Sequence, residues 1–181
     1  MLAHNLSITH HHRRGFTLIE LLVVLVIIGI IVSAATLMFG DPGQDQFKED
    51  KNRLLTLLKL AQEEAVINSV DHGVAIWEQG YSFFQLSDMR DQNNEVIWVE
   101  LKDDMLRPRE VGDETELRLT LEGVDIVMSA VPIEKPQIFL LSSGEVSPFE
   151  LGLYYETDLQ TTVVADMLGN LEISDANEDD F

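Results

Sequence analysis

Residues 13–39 read RRGFTLIELLVVLVIIGIIVSAATLMF. From Leu21 to Phe39 there are 19 residues without a charge, and an uncharged apolar run of 18 or more is the mark of a membrane span. Counted from Phe16 the segment holds 24 residues, about 36 Å as a helix at roughly 1.5 Å per residue, against a hydrocarbon layer about 30 Å thick. Residues 1–15 before it contain Arg13 and Arg14 and no acid. A basic flank followed by an apolar span predicts a cytoplasmic N-terminus and a chain that continues across the membrane.

Glu20 decides what kind of segment this is. A secretory signal peptide, cut near Ser33-Ala34-Ala35, has a shorter apolar region and no acid within it. A plain membrane anchor leaves Glu20 equally unexplained. An acid in a membrane segment costs a few kcal/mol unless it is paired, so its presence points to a function.

The run Arg13-Arg14-Gly15-Phe16-Thr17-Leu18-Ile19-Glu20-Leu21-Leu22-Val23-Val24 resembles the class III signal of type IV pilins and type II secretion pseudopilins. The resemblance implies that a membrane prepilin peptidase cuts between Gly15 and Phe16 and then N-methylates Phe16. Glu20 becomes the fifth mature residue, where the family carries its glutamate. Cutting before the span leaves the helix on the mature protein, with a new cationic amine on Phe16. Glu20 of one subunit can then pair with the amine of a neighbour as helices bundle in a filament, removing two unpaired charges from a low-dielectric setting. The mature charge becomes 10 − 32 = −22 once the two leader arginines are gone.

Beyond the span, Gly40-Asp41-Pro42-Gly43 interrupts the helix, and Asp41 as N-cap with Pro42 in the first turn restarts it. From Gln46 to Asn68 the apolar positions Leu54, Leu58, Ala61 and Ala65 step by 4, 3 and 4, one face of an amphipathic helix. The two pieces together predict a long N-terminal helix. After His72-Gly73 the pattern becomes one of strands. Val74–Trp77 and Tyr81–Leu86 form a hairpin about Glu78-Gln79-Gly80. Further strands are expected at Val96–Leu101, Glu116–Leu121, Ile126–Met128, Ile138–Leu141, Glu145-Val146, Leu151–Tyr155, Thr161–Ala165 and Leu171–Ser174, with turns at Ser142-Ser143-Gly144 and Gly169-Asn170. A charged loop separates Leu101 from Glu116. The organisation is thus a leader at 1–15, a transmembrane helix at 16–39, an amphipathic helix at 40–70, a β-rich domain at 71–174 and an acidic tail at 175–181.

The stretch Ile138–Leu151, FLLSSGEVSPFE within it, and Val163–Ile173, VVADMLGNLEI, are similar to the C-terminal region of GspH-type minor pseudopilins. That resemblance implies an α+β fold, a long N-terminal transmembrane helix packed on antiparallel β-sheet. It also implies a structural role near the tip of the pseudopilus of the type II secretion system. The implied partners are the major pseudopilin, the other minor pseudopilins, the prepilin peptidase and inner-membrane lipid. The implied location is the bacterial inner membrane, single-pass, with the C-terminal domain periplasmic.

Composition excludes other classes. The chain has 181 residues, of which 45% are hydrophobic, enough for one domain with an appendage. Lys and Arg number 12 against 32 Asp and Glu, a formal charge of −20, which opposes binding to nucleic acid. There is no cysteine, hence no disulfide framework, thiol nucleophile or Cys-based zinc site. Beyond the leader the one histidine is His72, and no G-x-S-x-G elbow, Walker loop or dinucleotide fingerprint accompanies it. The chain reads as a non-enzyme without catalytic or metal residues and without a cofactor. The leader's His10-His11-His12 lies in the segment to be removed. The acids Asp88, Asp91 and Glu95, and Asp175, Glu178, Asp179 and Asp180, lack the spacing of an EF-hand loop and read as solvated faces. The alternative is a FimT-like minor type IV pilin serving pilus assembly or DNA uptake. Its expected basic C-terminal region is missing, because residues 166–181 hold six acids and no base. A membrane-anchored periplasmic enzyme is a third class, without a catalytic constellation to support it.

Overall fold

The computed structural model describes residues 16–38, 41–102 and 105–176. The leader with Gly15, and the tail from Asn177, lie outside them. The chain divides at Gly40 into two units. In the first, helix α1 spans Leu18–Met38. Leu, Val and Ile occupy all of its faces, and every side chain described, from Phe16 to Ser33, is exposed. Among the described residues no helix is long and apolar enough to cross a membrane. The side chains of α1 are described only to Ser33, whereas the uncharged run continues to Phe39.

The second unit opens with helix α2, Pro42–Asn68. Asp41 caps it, its carboxylate accepting the Gly43 N–H at 3.0 Å, and Pro42 fills the first helical position, where its missing N–H costs nothing. Ser69 ends it in the left-handed region at φ 55°, and the Val70 N–H donates to Ala65 O at 3.1 Å. The expected stripe of Leu54, Leu58, Ala61 and Ala65 is buried, and so are Phe47, Leu55 and Leu57. The buried arc is wider than one stripe because α2 faces two sheets.

Sheet A has the order β3-β2-β1-β7, from β1 (His72–Trp77), β2 (Gly80–Arg90), β3 (Val96–Glu100) and β7 (Ile138–Leu140), with β4 (Arg109–Glu110) paired to β2. Sheet B has the order β10-β9-β8-β5-β6, from β5 (Thr115–Leu121), β6 (Val124–Asp125), β8 (Phe149–Tyr155), β9 (Asp158–Ala165) and β10 (Leu171–Asp175). All the pairings are antiparallel. Val74, Ile76 and Phe83 of sheet A meet Leu117, Leu151 and Val163 of sheet B around Leu54 and Leu58 of α2, all of them at most 2% exposed. Each such side chain contributes roughly 1.5–3 kcal/mol by leaving water.

Strand β1 is buried along its whole length, as an inner strand flanked by β2 and β7 with its core face against α2. Pro136 sits where a Cβ on Gly73 would be. The Gln137 side chain accepts the Ile76 N–H at 2.9 Å, extending the β1–β7 ladder past its last paired residue, Val74. The strand expected at Ile126–Met128 is not formed. Strand β6 ends at Asp125, and beyond it Ile126 makes one ladder-like bond, to Leu119 O. Ile126 and Met128 are instead half-buried against the core, so their alternation reflects a draped segment, not a strand. Expected Glu145-Val146 contributes an isolated bridge, Leu140 to Val146.

Candidate assembly site

At the start of α1, Phe16 precedes the helix and is 80% exposed. Thr17 is the first acceptor. Its carbonyl takes the N–H groups of Glu20 at 3.1 Å and Leu21 at 3.2 Å, and its hydroxyl accepts the Glu20 N–H at 3.3 Å. Thr17-Leu18-Ile19-Glu20 is therefore the half of a capping box in which the Ser/Thr serves the third helical residue. Thr17 was missed in the sequence reading, although its S/T-x-x-E spacing before an apolar run is the signal for it. Glu20 sits in the first turn of α1, where the helix dipole favours a carboxylate. Phe16 and Glu20 are thus separated by one turn of backbone fixed at Thr17.

Further along α1, Ser33 buries its hydroxyl demand locally by donating to Gly29 O at 2.8 Å. Thr17, Glu20 and Ser33 are the polar residues in a segment otherwise built of Phe, Leu, Ile, Val and Gly from Phe16 to Ser33. An exposed helix that is apolar all round requires lipid or other protein against it.

The second unit holds α2 at several levels. The Tyr155 hydroxyl lies 2.9 Å from Asp41 and 3.0 Å from Glu114. That hydrogen bond is the main reason the Asp41 carboxyl is held below its ordinary range. Asp50, 4% exposed, accepts the Gly112 N–H at 2.9 Å and pairs with Arg53 at 3.0 Å. Lys51 reaches Asp175 at 3.1 Å, and Thr161 donates to the same carboxylate at 2.5 Å. The Thr161 bond, then Lys51, holds the Asp175 carboxyl below its ordinary range. Near the far end Gln62 donates to Gly169 O at 3.0 Å. Gly169, at φ 83° in the β9–β10 turn, lies so close to Gln62 and Gly144 O that a side chain has no room there.

The remaining sequence candidates have structural employment. His72 is 2% exposed, and its Nδ1 lies 3.0 Å from Val70 O. Asp91 closes the β2–β3 hairpin by accepting the N–H groups of Asn93 and Glu95, both at 2.8 Å. Asp88 lies within β2. Asp175 is bound to Lys51 and Thr161 as described, while Glu178, Asp179 and Asp180 lie outside the described residues. Among the described residues no group of three or more His, Asp or Glu is placed to hold a metal ion.

A family model described as the prokaryotic N-terminal methylation motif matches residues 10–36. Type II secretion system protein H of Pseudomonas aeruginosa is 31% identical over 149 residues, covering 77% of this chain and 82% of that protein. The chain belongs to the type II secretion system protein H family. The protein H of Aeromonas hydrophila is 30% identical over 94% of this chain and 98% of its own. Among solved structures, the minor pseudopilin EpsH from the type 2 secretion system of Vibrio cholerae superposes with a TM-score of 0.60 at 27% identity, covering 75% of this chain and 99% of that one. The fold of these structures, a helix packed on antiparallel sheets, is the one found here in α2 and its two sheets. These relatives favour the secretion reading over the FimT-like alternative.

Proposed function

We propose that this member of the family is a structural, non-catalytic minor subunit near the tip of the type II secretion pseudopilus, and that its assembly works through the start of α1. In this reading the prepilin peptidase cleaves between Gly15 and Phe16 and methylates Phe16. Residues 16–39 hold the protein in the inner membrane, with the domain from Asp41 onward in the periplasm. The observation that carries the reading is Glu20, held by the Thr17 cap in the first turn of a helix that is otherwise apolar on every face. Cleavage creates an amine on Phe16. A carboxylate one turn away gives that amine, or a neighbour's, a partner in a medium where an unpaired charge costs several kcal/mol. The apolar faces then pack against lipid before assembly and against neighbouring helices after it.

Mass spectrometry of the protein extracted from membranes tests this. The expected species begins at N-methylated Phe16, and Gly15→Leu leaves the full precursor. A mature terminus near Thr36 would return the segment to an ordinary signal peptide.

A further inference from the structure

The outward side of sheet B carries a groove of about 480 Å³, bounded by the strands β5, β8 and β9 and by residues 125–128. Its floor is set by Gly152, which lies between Arg118 and Thr162 across the sheet. The Tyr154 ring leans over this glycine, so that a Cβ there would come within 2.8 Å of its Cε2. On one rim Val127 is 95% exposed, an apolar side chain that nothing in the domain covers.

The charges of the groove are unbalanced. Glu78, Glu116, Asp125 and Glu150 line it against one base, Arg118. Arg118 is already engaged: it pairs with Glu116 at 2.8 Å and stacks on the Tyr154 ring at 4.1 Å. Asp125 accepts from Thr120 at 2.8 Å. Among the described residues, the side chains of Glu78 and Glu150 have no hydrogen-bond or ion-pair partner. Two unpartnered carboxylates and an uncovered valine about one cleft call for a cation carried on an apolar stem, the chemistry of lysine and arginine.

We propose that this groove is the docking site for a cationic segment of a different subunit of the filament, a lysine or arginine lying against Glu78 and Glu150 with its stem along Tyr154 and Val127. The inference rests on the reading of the chain as a filament subunit and names the chemistry of one neighbour. A second copy of this chain does not fit. Its residues from Asp41 onward carry 10 bases and 31 acids, so two copies repel, whereas complementary charge steers encounter and fixes register.

The test is photo-cross-linking of the full-length protein in cells that carry the whole secretion apparatus. A benzoylphenylalanine replaces Val127 or, in a second strain, Val23 of α1. From Val127 the expected product is an adduct with another pseudopilin, the cross-linked peptide containing Lys or Arg. Its yield should fall about tenfold or more in Glu78→Lys/Glu150→Lys, since like charges placed face to face oppose docking and tenfold corresponds to about 1.4 kcal/mol. Glu63→Lys/Glu172→Lys, with the same change in net charge at exposed sites outside the groove, should leave it unchanged. Thermal melting confirms that both variants stay folded. The groove inference is overturned by adducts from Val23 with none from Val127, by a peptide without a base, by an adduct with a second copy, or by a yield indifferent to charge reversal. If neither position captures a pseudopilin, the filament reading falls and this inference with it.

Discussion

The hydroxyl of Tyr155, the last residue of β8, lies 2.9 Å from the carboxylate of Asp41, the residue that caps α2. A side chain from sheet B therefore fixes the point where the chain enters the domain. Desolvation and then this bond push the phenol upward, and the same bond holds the Asp41 carboxyl down. A carboxyl held down in the folded state stabilises it above the ordinary carboxylate pKa, near 4, and that contribution disappears as pH falls through the lowered value. Tyr155→Phe should thus lower the urea midpoint of the domain from Asp41 onward at pH 7. The gap from wild type should shrink well below pH 4; an equal gap at both pH values would remove Asp41 from the account.

Asp50 provides a sharper case because it is buried. Asp50→Ala leaves the Gly112 N–H and Arg53 without their acceptor, at an expected cost of about 1–3 kcal/mol. Asp50→Asn keeps an oxygen for Gly112 but turns an amide NH2 toward Arg53 in place of the second oxygen, so it should lie between Ala and wild type. Chemical unfolding at constant m-value ranks the three.

At the N-terminus, two substitutions separate helix capping from assembly. Thr17→Val removes the hydroxyl acceptor of Glu20 N–H and keeps the carboxylate. Glu20→Ala removes the carboxylate and makes the span more apolar. Both proteins should reach the membrane and be processed. Incorporation into the pseudopilus, read by co-purification with the other pseudopilins, should fall strongly for Glu20→Ala and modestly for Thr17→Val. Wild-type incorporation of Glu20→Ala would refute the pairing role.

The domain from Asp41 onward has a net charge of 10 − 31 = −21, and nucleic-acid affinity comes largely from bases that neutralise phosphates. Arg107 and Arg109 are followed at once by Glu110, Asp113, Glu114 and Glu116. No mobility shift with DNA is expected even at low salt, where electrostatic binding is strongest. Salt-sensitive binding would favour the DNA-uptake alternative.

The elements legible in the sequence were those with local signals. Asp41-Pro42 marked the start of α2, and the 4-3-4 stepping from Leu54 to Ala65 marked its buried face. The turn at Glu78-Gln79 marked the β1–β2 hairpin, whose register pairs Trp77 with Gly80. The segment Ile126–Met128 misled because burial against a core produces the same alternation as a strand. Strand β4, Arg109–Glu110, lay in a charged loop without a propensity signal and exists because it pairs with Gly80 and Tyr81. The motif that points to Phe16 and Glu20 is contiguous in sequence, whereas the groove has no local signal. It joins Glu78 to Glu150, remote in sequence, and depends on the absence of a side chain at Gly152.

The bonds that clasp α2 also define how the domain bears a load. They attach at Asp41, at Asp50 and Lys51, and at Gln62, positions spread over about 32 Å of helix at 1.5 Å per residue, and their partners Tyr155, Gly112, Asp175 and Gly169 lie in sheet B or the loops flanking its strands. A pull along the helix from its N-terminal end meets these bonds, and the apolar seam between them, in shear. They must yield together, not one after another as in a peeled hairpin. A subunit built this way transmits axial force from helix to domain as a rigid strut.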